Sequence, residues 1–218
     1  NNTFALEHEI DEYYERSCPL IRFIEGRRLA TIRRMLAIRP GERLLEVGCG
    51  GGHVLRMFPE ARLTGVDVSG RMIAKARLNL RDLPVRLLKG ELHEVGLADG
   101  EFSAVICTEV LEHTLDPGAV LTEIARVLHP EGRVVVTVPN DHLIGAVKKF
   151  LRKSGLWRLP IFGRVAWGGD EYHLHVWRPR EMAALLARYF VVQRFCAVPC
   201  RVLPIRCCFL CGSPGGRV

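Results

Sequence analysis

The polar and apolar positions of this chain change rhythm several times, and each change marks an element. Over residues 4–38, Ile21, Ile24, Leu29, Ile32, Leu36 and Ile38 recur every three to four positions with arginines between them. That is the period of a helix with one buried face. Pro40 and Gly41 end it. The apolar residues then come in short blocks, at 44–47, 63–66, 85–88, 104–108 and 134–138. Ser69 is placed to cap a helix over about 70–81, and Asp116 followed by Pro117 opens another to about Leu128. Uniformly apolar blocks separated by helices predict parallel strands covered on both faces. Residues 143–167 are basic and apolar with glycine and proline breaks, and Pro179 opens a helix to about Arg188. Two β-rich runs, 190–198 and 205–211, are joined by a proline-containing segment and predict a closing hairpin.

With 218 residues, 48% of them apolar, the chain has the size and core of one α/β domain. Its net charge of +7 suits either an anionic partner (phospholipid headgroups, nucleic acid, an acidic substrate) or a solvated basic surface. Eight cysteines invite a disulfide framework, but Cys49 and Cys107 lie in strand-like runs, and the chain opens on polar, acidic residues with no secretory leader. The expectation is a reduced, cytoplasmic protein. Cys208 and Cys211 have the spacing of a zinc pair, yet the adjacent Cys207 and Cys208 of one strand face opposite ways, so buried thiols are expected. No apolar run reaches the roughly 18 residues of a membrane span.

The stretch after the first block changes the picture most. Glycines at 48, 50, 51 and 52 make a turn at which backbone can approach a ligand closely. Glu46 stands just before them, and Asp67 ends the next strand, where a carboxylate can accept two ribose hydroxyls. The spacing of Glu46, Gly48, Gly50 and Gly52, followed by Gly65, Val66 and Asp67, resembles motif I and the acidic loop of class I S-adenosylmethionine-dependent methyltransferases. Dinucleotide dehydrogenases require a third glycine where this chain has His53. The resemblance continues through residues 109–113, 128–132 and 134–139 and extends to the ubiquinone-biosynthesis O-methyltransferases.

The resemblance implies an α/β, Rossmann-like, doubly wound seven-stranded sheet, mostly parallel with an antiparallel C-terminal hairpin strand. It implies one methyltransferase domain over 1–218: a helical cover (1–40), a cofactor-binding core (41–140), a lid or substrate insertion (141–178), and a final helix with the C-terminal strands (179–218). S-adenosylmethionine, leaving as S-adenosylhomocysteine, is the implied cofactor. Its implied contacts are Glu46, Gly48, Cys49, Gly50, Gly52, Asp67, Val68, Glu91, Leu92 and Thr108, with Asp67 on the ribose and Glu91 standing where Asp is commoner beside the adenine.

Chemistry is expected after the fourth block. Glu109, Glu112 and His113 could bind Mg²⁺ or another divalent ion, and their pattern resembles the metal motif of the ubiquinone-pathway and small-RNA 2′-O-methyltransferases. In the small-RNA enzymes a further histidine follows about sixty residues on; His173 stands sixty beyond His113 (173 − 113), with His175 close behind. Glu112, His113 and His173 are the candidate catalytic residues, and Glu109, Glu112, His113 and His173 the candidate ligands. Without a metal, His113, His142 or His173 could serve as base. The expected acceptor is a small hydrophobic or phenolic molecule, lipid-like in the ubiquinone enzymes, reached with peripheral membrane contact through 143–167 or beneath an ordinary lid. An RNA 2′-O-methyltransferase and a non-catalytic cofactor-binding partner protein are the alternatives. No appended RNA-binding module or aromatic-rich basic patch supports the RNA reading.

Overall fold

A computed structural model describes residues 19–156 and 173–213. The N-terminal part of the expected helical cover and the middle of the expected lid lie outside the described residues. The elements, in chain order, are α1 (Pro19–Leu36), β1 (Arg43–Val47), β2 (Arg62–Asp67), α2 (Gly70–Asn79), β3 (Val85–Lys89) and β4 (Phe102–Thr108). They continue as α3 (Pro117–Val127), β5 (Leu128–Pro139), α4 (Asp141–Lys153), α5 (Pro179–Leu186), β6 (Val191–Pro199) and β7 (Pro204–Gly212). The seven strands form one sheet in the order β3-β2-β1-β4-β5-β7-β6. The pairs from β3 through β5 are parallel, whereas β7 runs antiparallel to both β5 and β6.

Alternation along the central strands feeds two cores. Leu45, Val47, Val105, Cys107, Val134 and Val136 face α3 and α5, meeting Leu121, Ile124, Met182 and Leu186. Leu44, Ala104, Ile106 and Val135 face the other way, toward Ile32, Met35 and Leu36 of α1 and Ile73 and Ala76 of α2. Both sides of the sheet are therefore covered, which is why its strands read as continuous apolar blocks. Cys207 enters the first core and Cys208 the second, and the seven described cysteines are free thiols. No described helix is long and apolar enough to cross a membrane.

Two elements differ from the sequence pattern. β5 begins at Leu128 rather than at 134, because Leu128 already pairs with Phe102 before an irregularity in the ladder. The first part of the segment expected to carry glycine and proline breaks is a helix, α4, that runs through Gly145 and ends before Gly155, whose φ is +73°; the rest of that segment, from 157, lies outside the described residues. The Asn140 side chain caps α4 by accepting the Leu143 N–H at 3.3 Å, and that cap precedes the residue at which the pattern began.

Gly65, in the middle of β2, shows how tightly the sheet is packed beside the glycine turn. A Cβ there would lie 2.8 Å from Cys49 Sγ and 2.9 Å from the Leu55 and Leu87 methyls. Gly65→Ala is expected to destabilise the domain by about 1–3 kcal/mol in chemical denaturation, the usual cost of overpacking. An unchanged midpoint would mean this face yields easily.

Candidate active site

β1 is flanked by β2 on one side and β4 on the other, so the chain leaves the carboxyl ends of these strands in opposite directions. That switch point opens a crevice where open α/β sheets bind ligands. The glycine turn after β1 lines it. Gly48 has φ +68°, and a Cβ there would come within 2.4 Å of Val110, just after β4. Only glycine lets the turns after β1 and β4 approach this closely. The Gly50 N–H donates to Asp67 Oδ2 at 2.8 Å, and the Ser69 N–H donates to Asp67 Oδ1 at 2.8 Å. One carboxylate thus ties the glycine turn to the start of α2. Ionised, it keeps acceptor capacity for a diol. Burial raises its pKa, against the pull of the Ser69 and Gly50 amides.

The other expected cofactor contacts divide. Val68 is exposed beside Asp67, and Thr108 is buried at the end of β4. Leu92 is buried, whereas Glu91 is exposed with its carboxylate 3.6 Å from His93. Cys49 is buried, with its sulfur packed against Gly65, so its side chain belongs to the core.

Glu46 is 1% exposed, and its Oε2 has no hydrogen-bond partner among the described residues. Burial pushes its carboxyl up to about 8, although the Arg28 charge and the Leu55 amide pull it back. An orphaned, buried carboxyl oxygen beside a glycine cradle fits a ligand that carries a cationic amine.

The turn after β4 starts at Glu109, whose φ of +55° is unusual for a side-chain-bearing residue. Its N–H bonds the Thr137 carbonyl at 3.0 Å, and its Oε1 accepts the Thr137 hydroxyl at 3.0 Å. Its Oε2 lies 3.2 Å from Arg206 Nε. A short turn, Leu111–His113, then brings Glu112, His113 and His173 together: one candidate ligand atom from each lies within 4.8 Å of the others. The His113 and His173 rings meet edge to face, with centroids 4.9 Å apart. The Glu112 carbonyl accepts the Leu174 N–H at 2.8 Å and the His175 N–H at 3.3 Å, which holds the distant segment in place. His175 itself stacks on Trp177. Glu109, grouped with the ligands by spacing, lies outside this cluster because Thr137 and Arg206 engage it.

Glu112 is 1% exposed, and neither carboxyl oxygen has a hydrogen-bond partner among the described residues. Burial, and then the charge of Glu109, hold its pKa well above the usual range. A carboxylate beside two imidazoles is a donor set that can take a divalent cation.

Four residues here escape the sequence reading. Asp141 places Oδ2 3.0 Å from His173 Nδ1. Arg206 on β7 lies 3.4 Å from Glu25 of α1 as well as beside Glu109, and Glu25 pairs with Arg28 at 2.7 Å. Only the alternation of α1 could have hinted at Glu25 and Arg28, which fall near the buried positions Ile24 and Ile32.

This sheet order, with its glycine turn and acidic strand end, is the Rossmann-like fold of class I methyltransferases. Residues 45–136 match the family described as methyltransferase domain. Over 111 residues the chain is 38% identical to an uncharacterized 37.1 kDa protein in transposon TN4556 of Streptomyces fradiae, covering 48% of this chain and 32% of that one. Over 128 residues it is 33% identical to the ubiquinone biosynthesis O-methyltransferase of Alkalilimnicola ehrlichii, covering 56% of this chain and 52% of that one. The chain thus spans about half or less of these curated relatives. Among solved structures, the PH0226 protein of Pyrococcus horikoshii OT3 superposes with a TM-score of 0.70 over 93% of this chain and 95% of its own, at 18% identity, a likeness of fold.

The Glu46 carboxyl gives a pH test without ligand. Its folded value of about 8 lies above the ordinary 4.5, so as pH rises the unfolded chain loses this proton first. The contribution to stability therefore falls across that window, by at most about 1.4 kcal/mol per pH unit. Glu46→Gln is expected to flatten the decline in melting temperature between about pH 5 and pH 8. Parallel curves for the two proteins would place the Glu46 carboxyl at an ordinary pKa.

Proposed function

We propose that this chain transfers the methyl group of S-adenosylmethionine to an oxygen of a small apolar or phenolic acceptor, with a divalent ion held by Glu112, His113 and His173. The observation that carries this reading is the buried Glu112 carboxyl, without a hydrogen-bond partner among the described residues, beside two imidazoles, on the turn that packs against the cofactor loop. The Gly48–Gly52 turn and Asp67 would hold the cofactor, with Glu46 toward its amine. S-adenosylmethionine supplies the methyl on an electrophilic sulfonium. The protein's part is to align donor and acceptor and to handle the hydroxyl proton. A divalent cation supplies Lewis acidity that lowers the pKa of a bound hydroxyl. Two nitrogen donors and one carboxylate suit Mn²⁺, Fe²⁺, Co²⁺ or Zn²⁺ better than the Mg²⁺ that an all-carboxylate reading favours. Leu115 and Leu174 are exposed next to this cluster in the chain, which suits an apolar acceptor. The name of the Alkalilimnicola relative, an O-methyltransferase of ubiquinone biosynthesis, points the same way.

The test is S-adenosylhomocysteine release with phenolic, lipid and RNA acceptors. Turnover on a phenolic or lipid hydroxyl, abolished by chelator and restored by a divalent transition ion, is expected. Turnover that ignores chelator but is lost on His113→Ala or His173→Ala overturns the ion and makes an imidazole the base. Turnover on RNA alone overturns the acceptor class. For the cofactor, calorimetry with S-adenosylhomocysteine on Asp67→Ala should show a loss of roughly 1.5–3 kcal/mol, the range for hydrogen bonds to a charged group. Equal affinity would remove Asp67 from the ribose.

A further inference from the structure

We propose that Asp141 is the positioning residue of the ion site: by holding Nδ1 of His173, it fixes that ring so that Nε2 is the nitrogen offered beside Glu112 and His113. The proposal rests on the ion reading above but concerns a residue outside the donor set. Asp141 Oδ2 and His173 Nδ1 are 3.0 Å apart, with the side chains only 7% and 12% exposed. Asp141 opens α4, where an acidic residue is commonplace because it complements the helix dipole. A residue serving only that purpose belongs in solvent. This one is buried, the helix already has its cap in Asn140, and Asp141 Oδ1 has no partner among the described residues. A buried carboxylate is costly unless it is paired, and Asp141 Oδ2 meets an imidazole from 32 residues further along the chain.

The consequence is chemical. An imidazole that donates Nδ1–H to a carboxylate is held in one tautomer, with its Nε2 lone pair free and more basic. The tie also explains how a histidine on the extended segment after 172 keeps its place beside the turn at 111–113. Backbone bonds from Leu174 and His175 to the Glu112 carbonyl fix the segment, but they leave the His173 ring free to rotate. Asp141 removes that freedom.

The experiment uses the full chain and Co²⁺ as probe, followed by the visible absorption of the bound ion, together with S-adenosylhomocysteine calorimetry. Asp141→Ala is expected to weaken Co²⁺ binding about 10- to 100-fold, the usual effect of losing an outer carboxylate. Asp141→Asn, which keeps the shape and one acceptor, should fall between, and S-adenosylhomocysteine affinity should be unchanged in both. Nitrogen-15 spectra of the metal-free protein give a second readout. The parent should show His173 protonated at Nδ1, and Asp141→Ala a mixture of tautomers. If the parent binds Co²⁺ and both variants bind it equally, the role of Asp141 is overturned while the ion site stands. A parent that binds no Co²⁺ overturns the ion reading and this proposal together. A His173 tautomer unchanged in Asp141→Ala overturns the orienting role whatever the metal does.

Discussion

The carboxyl edge of the sheet gathers more buried carboxylate than buried cation, and the site is organised around that imbalance. Glu46, Asp67, Glu109, Glu112 and Asp141 all lie at or just beyond the ends of β1, β2, β4 and β5, and Glu25 reaches the same region from α1. The described arginines that answer them are Arg28 and Arg206. Water screens these buried and part-buried groups poorly, so pairing, hydrogen bonding or protonation must answer their charge. Every solution appears. Asp67 is satisfied by two backbone amides. Glu25 would be pushed up by burial, but Arg28 and Arg206 outweigh that and hold it below the usual range. Glu46 and Glu112 are left with raised pKa values and with carboxyl oxygens that have no hydrogen-bond partner among the described residues. These two are the positions at which a cationic ligand gains most.

The antiparallel strand β7 makes this arrangement possible. A parallel strand beside β5 would bring its carboxyl end to the crevice. Because β7 runs the other way, its first residues arrive there, and Arg206 pairs in register with Pro139. From that place its guanidinium lies between Glu109 and Glu25. A pair buried to this degree is weak evidence for stability, since an apolar replacement is often as stable. Its effect here is positional: it draws Glu109 away from Glu112, and with Thr137 it holds a residue of positive φ at the point where the chain leaves β4.

What the sequence made legible was local. The glycine turn, Asp67, the Ser69 and Asp116 caps and the apolar blocks each announce themselves within a few residues, because turn chemistry and strand burial act at that range. The pairing of His113 with His173 was legible only through spacing and resemblance, since nothing in the intervening residues encodes the return of the chain. The arginines were harder. Arg28 stands in an arginine-rich helix and reads as one more solvated charge, yet it is 4% exposed whereas Arg27 is exposed. Arg206 sits in a run that reads as an apolar hairpin strand. Asp141 looks like an ordinary first-turn acid. In each case the deciding fact is a contact across the sheet edge, and no local pattern carries it.

Charge also separates the site from the surface. The chain is basic overall, +7 by count, and Arg22, Arg27, Arg33 and Arg34 of α1 and Lys149, Arg152 and Lys153 of α4 are exposed. Screening at physiological salt acts over about 8 Å, so charges on those outward faces do little to neutralise carboxylates inside the crevice. Within the crevice, burial favours the neutral form of Glu46 and Glu112, and Arg206 answers Glu25 and Glu109, so an apolar or phenolic acceptor meets little net charge there. On the proposed reading, an ion beside Glu112 supplies the positive charge that makes the hydroxyl reactive. The chemistry then rests on one group of side chains, the carboxylate and two imidazoles that meet after β4.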